Sequence, residues 1–323
     1  MTDAAPAPGA GQVLSGRYRL EEEVGRGGAG RVFRAHDDRL DRAVAVKVLT
    51  DLGDAAVARF RREAATAARI RHPNVVTLHD AGVDTTPYLV MTLVPGPSLA
   101  DRVAAEGPLD DASLRRLATD LFAGLEATHA AGVLHRDLTP RNVLFAEDGA
   151  ALLADFGIAR GADDPTITAE HTIMGTRPFV APERLRGADA TVAADVYAVG
   201  VTLRFAALGR HDAPMPRDHP LAPVVAACTA EDPGRRPPSA AEAGRVVGAE
   251  ASRNGGPGSV EATRALPPVD GATPTRPMPR ATAPTRPAPA TSPGHARDHR
   301  PVVALVLLGA LAIAAVIAST AVR

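Results

Sequence analysis

His135-Arg136-Asp137-Leu138-Thr139-Pro140-Arg141-Asn142 lies between two apolar runs, Ala130–Leu134 and Val143–Phe145. The flanks read as buried, and the octet reads as a tight loop between them. An acid, two arginines and a carboxamide exceed what a turn needs, and loops held by rigid flanks are where functional groups concentrate. Thirteen residues after Asn142 comes Asp155-Phe156-Gly157, closing a second apolar run, Ala150–Ala154. Either tripeptide alone would pass for a polar surface loop. Two acid-bearing loops in this order and at this spacing fit one chemistry. Asp137 accepts a hydroxyl proton while Asn142 and Asp155 hold magnesium on the phosphates of a nucleotide.

Composition narrows the field. The 323 residues carry 36 basic and 37 acidic side chains, so no global charge argument points to nucleic acid. The one cysteine, Cys228, has no disulfide partner in the chain, and its apolar neighbours mark it as a buried, inert thiol. Residues 1–16 have no apolar core and read as a disordered Ala/Pro/Gly-rich tail without a signal peptide. Lys47 is the only lysine in the chain, while arginine serves wherever else a cation is wanted. One retained lysine implies a site that a planar guanidinium cannot serve.

Lys47 sits in Ala43-Val44-Ala45-Val46-Lys47-Val48-Leu49, a strongly apolar strand in which a cation needs a carboxylate and an anion. Upstream, Val24-Gly25-Arg26-Gly27-Gly28-Ala29-Gly30-Arg31-Val32 follows a strand starting at Tyr18. A dinucleotide fingerprint would require a helix directly after the glycines. Val32 to Ala35 instead continues as strand, so the glycines read as a hairpin whose backbone N–H groups approach phosphate oxygens. Residues 55–70 place Val57, Phe60, Ala64, Ala67 and Ala68 on one helical face with Glu63 beside it. Glu63 is the carboxylate expected for Lys47; the alternative is a surface pair with Arg59 or Arg62. Val75–His79 and Tyr88–Val94 read as further strands, and Pro95-Gly96-Pro97 marks a boundary. Helical periods then run over Leu99–Ala105 and Ser113–Ala131, and a polar stretch, 160–176, precedes Arg177 to Glu183. Asp195 to Gly200 opens another apolar helix, and Asp232 to Pro237 precedes the last one.

Taken together, these residues resemble the eukaryotic-type Ser/Thr protein kinases, in the bacterial branch whose members are often membrane-anchored. The resemblance covers roughly residues 18–248. It implies an α+β, two-lobed protein kinase fold: an N-lobe, 17–94, with a five-stranded antiparallel sheet and one helix, and a helical C-lobe, 97–248. It implies ATP and Mg2+ or Mn2+ as cofactors and protein Ser/Thr hydroxyls as acceptors. Val24, Gly25, Gly27, Gly28, Gly30, Val32 and Ala45 would cover the nucleotide, and Met91 and Leu93 would flank its adenine. Lys47 would hold the phosphates and pair with Glu63. Asp137 would be the base, and Asn142 and Asp155 the metal ligands. Thr166, Thr168 and Thr172 are the candidate activating phosphorylation sites, with Arg136 placed to receive the phosphate. Thr176, Glu183, Asp195 and Arg236 would be structural, Glu183 pairing with Arg236 and Asp195 bracing the catalytic loop. Forkhead-associated-type phosphothreonine-binding partners and a kinase-domain dimer are compatible with the resemblance.

Two departures stand out. Thr139 occupies the place where these kinases carry a lysine that contacts the γ-phosphate, and Arg141 is placed as an arginine is in tyrosine kinases. Asp195 to Arg236 is shorter than in the family by several helical turns. Both leave open a pseudokinase, a nucleotide-binding or scaffolding module. Small-molecule phosphorylation is disfavoured, because Gly175 to Glu183 resembles a peptide-binding segment.

Residues 249–300 read as a Pro/Thr/Arg-rich linker, in which Pro274-Thr275-Arg276-Pro277 recurs as Pro284-Thr285-Arg286-Pro287. Val302–Val322 is apolar apart from Ser319 and Thr320. At ~1.5 Å per residue it matches a hydrocarbon core of about 30 Å, so 301–323 reads as one transmembrane helix. Arg297, His299 and Arg300 precede it, which predicts a single-pass cell-membrane protein with a cytoplasmic kinase domain.

Overall fold

The alternation of Val44, Val46 and Val48 with Ala45, Lys47 and Leu49 organises the first half of the molecule. In the computed structural model, which describes residues 8–27, 30–49, 54–157 and 177–254, these residues form strand β4 (Arg42–Leu49). It lies inside a sheet with β1 (Val13–Leu14), β2 (Tyr18–Gly27), β3 (Gly30–Asp37), β5 (Leu78–Val83) and β6 (Pro87–Met91). The six strands are antiparallel in the order β1-β2-β3-β4-β6-β5. Because side chains alternate across a strand, the three valines enter one core with Tyr18, Phe33 and Val90. Leu49 enters another, with Phe60 and Ala64 of helix α1 (Asp54–Ala67) and with Leu89. Lys47 shares the Leu49 face and is therefore turned towards α1.

The sheet has six strands rather than the expected five. Val13 and Leu14 pair with Arg19 and Tyr18, and Leu14 is fully buried. Residues 8–16 are thus part of the folded lobe and not of a disordered tail. The expected strand at Val75–His79 begins instead at Leu78, because Val75 and Val76 reach the C-lobe. Val76 N–H donates to Leu153 O at 2.9 Å, Leu153 N–H donates to Asn74 O at 2.9 Å, and the Asn74 amide donates to Ala151 O at 2.9 Å. At the far edge, Arg17 grips fully buried Asp37 through two hydrogen bonds of 2.7 and 2.8 Å, holding that carboxyl down at about 2.

The C-lobe is built on α3 (Asp111–Ala130) and α5 (Val192–Leu208). Asp110 and Thr191 cap their first turns by accepting N–H groups, and Gly209 closes α5 at φ 69°, a conformation glycine adopts without strain. Around them lie α2 (Leu99–Glu106), α4 (Pro182–Leu185), α6 (Ala222–Cys228), α7 (Ala240–Asn254) and the hairpin β7 (Val143–Phe145)–β8 (Ala151–Leu153). Between α5 and Arg236 the described residues contain only α6 and a short 3-10 turn, Pro233–Arg235, as expected from the shortened sequence. Helix α7 runs to Asn254, beyond the expected domain end at 248 and into the expected linker. No helix among the described residues is long and apolar enough to cross a membrane. Residues 255–323, with the expected transmembrane segment, lie outside the described residues. So do Gly28, Thr166, Thr168, Thr172 and Thr176.

Candidate active site

The loop 135–142 is held from below. Fully buried His135 and half-buried Arg136 donate backbone N–H groups to Asp195 of α5 at 2.8 and 2.9 Å. His129 Nε2 lies 2.9 Å from the same carboxylate. A buried carboxylate needs this many donors to offset its desolvation. Arg136 sits at φ 64°, in the left-handed region that a side chain with a Cβ seldom adopts. Asp155 is also left-handed, at φ 57°, and Gly157 N–H donates to His135 O at 3.0 Å, so the two acid-bearing loops are tied together. Phe156 packs against both the α1 core and the C-lobe core, its ring 5.1 Å from that of His135. Burial pushes the His135 imidazole below its ordinary value, with Asp195, Asp137 and Asp155 pulling the other way.

The polar groups converge as follows. Asn142 Nδ2 donates to Asp137 O at 2.7 Å and approaches Asp137 Oδ2 at 3.3 Å, leaving its own carboxamide oxygen as an acceptor. Ala154 N–H donates to Asn142 O at 2.8 Å, which sets Asp155 one residue from the Asn142 backbone. Lys47 Nζ lies 3.0 Å from Asp155 Oδ1. Above Lys47, β2 and β3 pair as far as Gly27 and Gly30, and a Cβ on Gly30 would stand 2.1 Å from Val48 O. Only glycine fits there. Val24 is exposed on the same hairpin and Val32 is half-buried. Met91 pairs with Ala45 at the end of β6, and Thr92 and Leu93 continue beyond the strand.

One expectation is corrected. Glu63 does not meet Lys47; its Oε1 lies 3.3 Å from Nη1 of Arg136. Helix α1 sets Glu63 over the loop bearing Arg136, beside a cleft of about 260 Å3 lined in part by Arg62, Thr66, Leu134 and Gly157. Lys47, on the Leu49 face, takes Asp155 instead. Further down, Glu183 and Arg236 pair as expected, at 2.6 and 2.8 Å in a two-pronged contact. Thr139 is buried and Arg141 is exposed on the 3-10 turn Pro140–Asn142. Sequence reasoning does not reach His129, because nothing in its 66-residue separation from Asp195 marks the pair.

A lysine, two carboxylates and a carboxamide beneath a glycine hairpin, between a sheet lobe and a helical lobe, define the protein kinase class. The protein kinase domain family matches residues 18–222, and the chain belongs to that family. Curated relatives include a probable serine/threonine-protein kinase PknB of Lactococcus lactis, 37% identical over 198 residues, covering 60% of this chain and 32% of the relative. Serine/threonine-protein kinases PknD and PknA of Mycobacterium tuberculosis are 41% and 40% identical over 207 and 204 residues. These matches cover 63% and 60% of this chain, and 31% and 47% of the relatives. The chain therefore spans less than half the length of these relatives. The crystal structure of Rad53 residues 1–466 in complex with AMP-PNP is 23% identical, with a TM-score of 0.58, over 71% of this chain and 64% of that one. That likeness concerns the fold.

Proposed function

We propose that the protein transfers the γ-phosphate of ATP to serine and threonine hydroxyls of proteins. The observation that carries this reading is the Lys47–Asp155 contact of 3.0 Å beside the Asn142–Asp137 hydrogen bond. Together they bring the retained lysine, a base and two oxygen donors to one place. The residues fit a magnesium nucleotide. Among the described residues no cluster of three His, Cys, Asp or Glu forms a ready-made metal cage. Magnesium at phosphates needs only one or two protein ligands, which Asp155 and the Asn142 carboxamide oxygen supply. Bound there, it would neutralise phosphate charge. Lys47 would exchange Asp155 for the phosphates, the glycine hairpin would close over them, and Met91 and Leu93 would flank the base. Asp137, oriented by Asn142, would take the acceptor hydroxyl proton.

Thr139 favours a second reading, a scaffold without turnover, because a buried hydroxyl brings no charge to the transferring phosphoryl group. Arg141 answers it. It is the cation on the turn between the base and the metal ligand, exposed and, among the described residues, in no ion pair. Arg141 supplies the charge that Thr139 lacks, and the protein turns over.

Regulation follows from Arg136. A phosphate on Thr166, Thr168 or Thr172 would compete with Glu63 for the Arg136 guanidinium, with Arg62 on the same cleft, and release Glu63 towards Lys47. Residues 301–323 anchor the chain, with the kinase domain on the cytoplasmic side. Phosphoamino-acid analysis after incubation with ATP, magnesium and a generic protein acceptor tests the reading. Phosphoserine and phosphothreonine are expected on the acceptor, and phosphothreonine between residues 158 and 176 of the kinase. Phosphotyrosine alone, or an unmodified acceptor, would contradict it.

A further inference from the structure

Apart from Arg62, which also lines the cleft beside Arg136, the arginines on the outer face of α1 carry charge that the active site does not use. Arg59, Arg61 and Arg62 lie on the helix, Arg69 on the turn that closes it and Arg71 just beyond, its guanidinium donating back to Ala68 O and Ile70 O; all but Arg59 are exposed. Among the described residues none of the five has an ion-pair partner. On the adjoining sheet, by contrast, Arg17, Arg19, Arg26, Arg31 and Arg34 each meet a carboxylate. The only acid between Arg59 and Arg71 is Glu63, which is turned inward to Arg136. The remaining exposed positions on this face are Ala58 and Ala65. A protein-docking surface is centred on aromatic or large apolar anchors, and this face has none. A lipid headgroup layer requires only cations that can approach it, and small alanines let the guanidinium groups do so.

We infer that the outer face of α1 docks on the anionic phospholipid headgroups of the membrane in which the chain is anchored. Guanidinium groups match phosphate oxygens in pairs, and a tethered domain samples the nearby surface continually. The inference rests on the proposed 301–323 anchor and adds to it a lipid class and an orientation.

The test uses the full chain with Ala65→Cys carrying a nitroxide label. Ala65 is exposed between Arg61 and Arg69, whereas Cys228 is buried and its thiol is pushed up to about 12, so it does not compete for the reagent. The protein is reconstituted into neutral phosphatidylcholine vesicles or vesicles enriched in phosphatidylglycerol. Flotation with neutral vesicles reports the anchor alone. Label accessibility to a water-soluble nickel chelate should fall about threefold or more in the anionic vesicles, where surface arginines are attracted to the headgroups. The fall should be reversed by high salt and lost in Arg61→Glu with Arg69→Glu. Equal accessibility in the two vesicle types, or shielding retained by the charge-reversed variant, would overturn the docking while leaving the anchor intact. Shielding by polyglutamate on neutral vesicles as strong as by phosphatidylglycerol would assign the face to acidic protein and also overturn it. Flotation with neither vesicle would remove anchor and docking together.

Discussion

Removing Arg236 should cost more stability than any exposed charge in the protein. Its side chain is fully buried and spends every donor direction. Nη1 donates to Glu183 Oε1 at 2.6 Å and to Ala193 O at 3.0 Å, Nη2 donates to Glu183 Oε2 at 2.8 Å and to Glu231 O at 3.2 Å, and Nε donates to Ala230 O at 2.8 Å. The guanidinium also lies 4.9 Å from the Tyr197 ring centroid. Arg236→Ala would strand a largely buried carboxylate and three carbonyls, a loss of about 3–5 kcal/mol by analogy with broken buried pairs. That is a large part of the ~5–15 kcal/mol that holds a domain folded. Arg236→Lys keeps the charge but not the fork, and should lose roughly 1–3 kcal/mol. Acidity should act on the same pair. Burial raises the Glu183 carboxyl, but the hydrogen bond and charge of Arg236, a backbone hydrogen bond and the charge of Arg186 together more than offset this, so the group titrates below its ordinary value. The pair's contribution is therefore complete above the ordinary carboxylate range and is lost as pH falls through the lowered folded value. Urea unfolding of the full chain in detergent, at neutral and acid pH, measures both effects. Arg236→Ala within about 1 kcal/mol of the parent at neutral pH would refute the reasoning.

Three other outcomes follow from the same geometry. Gly124→Ala should lower stability by about 1–3 kcal/mol in urea titrations, because the new Cβ would stand 2.5 Å from Asn74 O and push α3 off the segment joining the lobes. Lys47→Arg should lose roughly a hundredfold in phosphate transfer, since a planar fork cannot replace the compact ammonium that leaves Asp155 for the phosphates. Arg141→Ala should transfer phosphate about ten- to a hundredfold more slowly, the worth of one charge-assisted contact, with Thr139→Lys restoring part of it; unchanged kinetics would end the compensation argument.

Much of this arrangement is legible in the chain, for local reasons. The apolar strand around Lys47 forms as its residues indicate, and the helical period of residues 113–131 yields α3 within two residues. Glu183 and Arg236 find each other as expected. What escapes the sequence is long-range choice among similar partners. From the sequence Glu63 has Lys47, Arg59 or Arg62 as partners, and only the position of α1 over the 132–136 loop brings it to Arg136 instead. His129 meets Asp195 because α3 and α5 cross, which no local spacing encodes. Val13 and Leu14 form a sixth strand because β2 offers a free edge, although their own segment is rich in Gly and Pro.

The central claim is that Lys47, Asp137, Asn142 and Asp155 form a working phosphoryl-transfer site. Transfer of radiolabelled γ-phosphate by the full chain, with magnesium and a generic acceptor, beside an Asp155→Asn control tests it most directly. The account predicts label on the acceptor with the parent and roughly a hundredfold less with the control, which loses the carboxylate that would hold magnesium. No transfer by the parent with either magnesium or manganese, or equal transfer by the control, would contradict it.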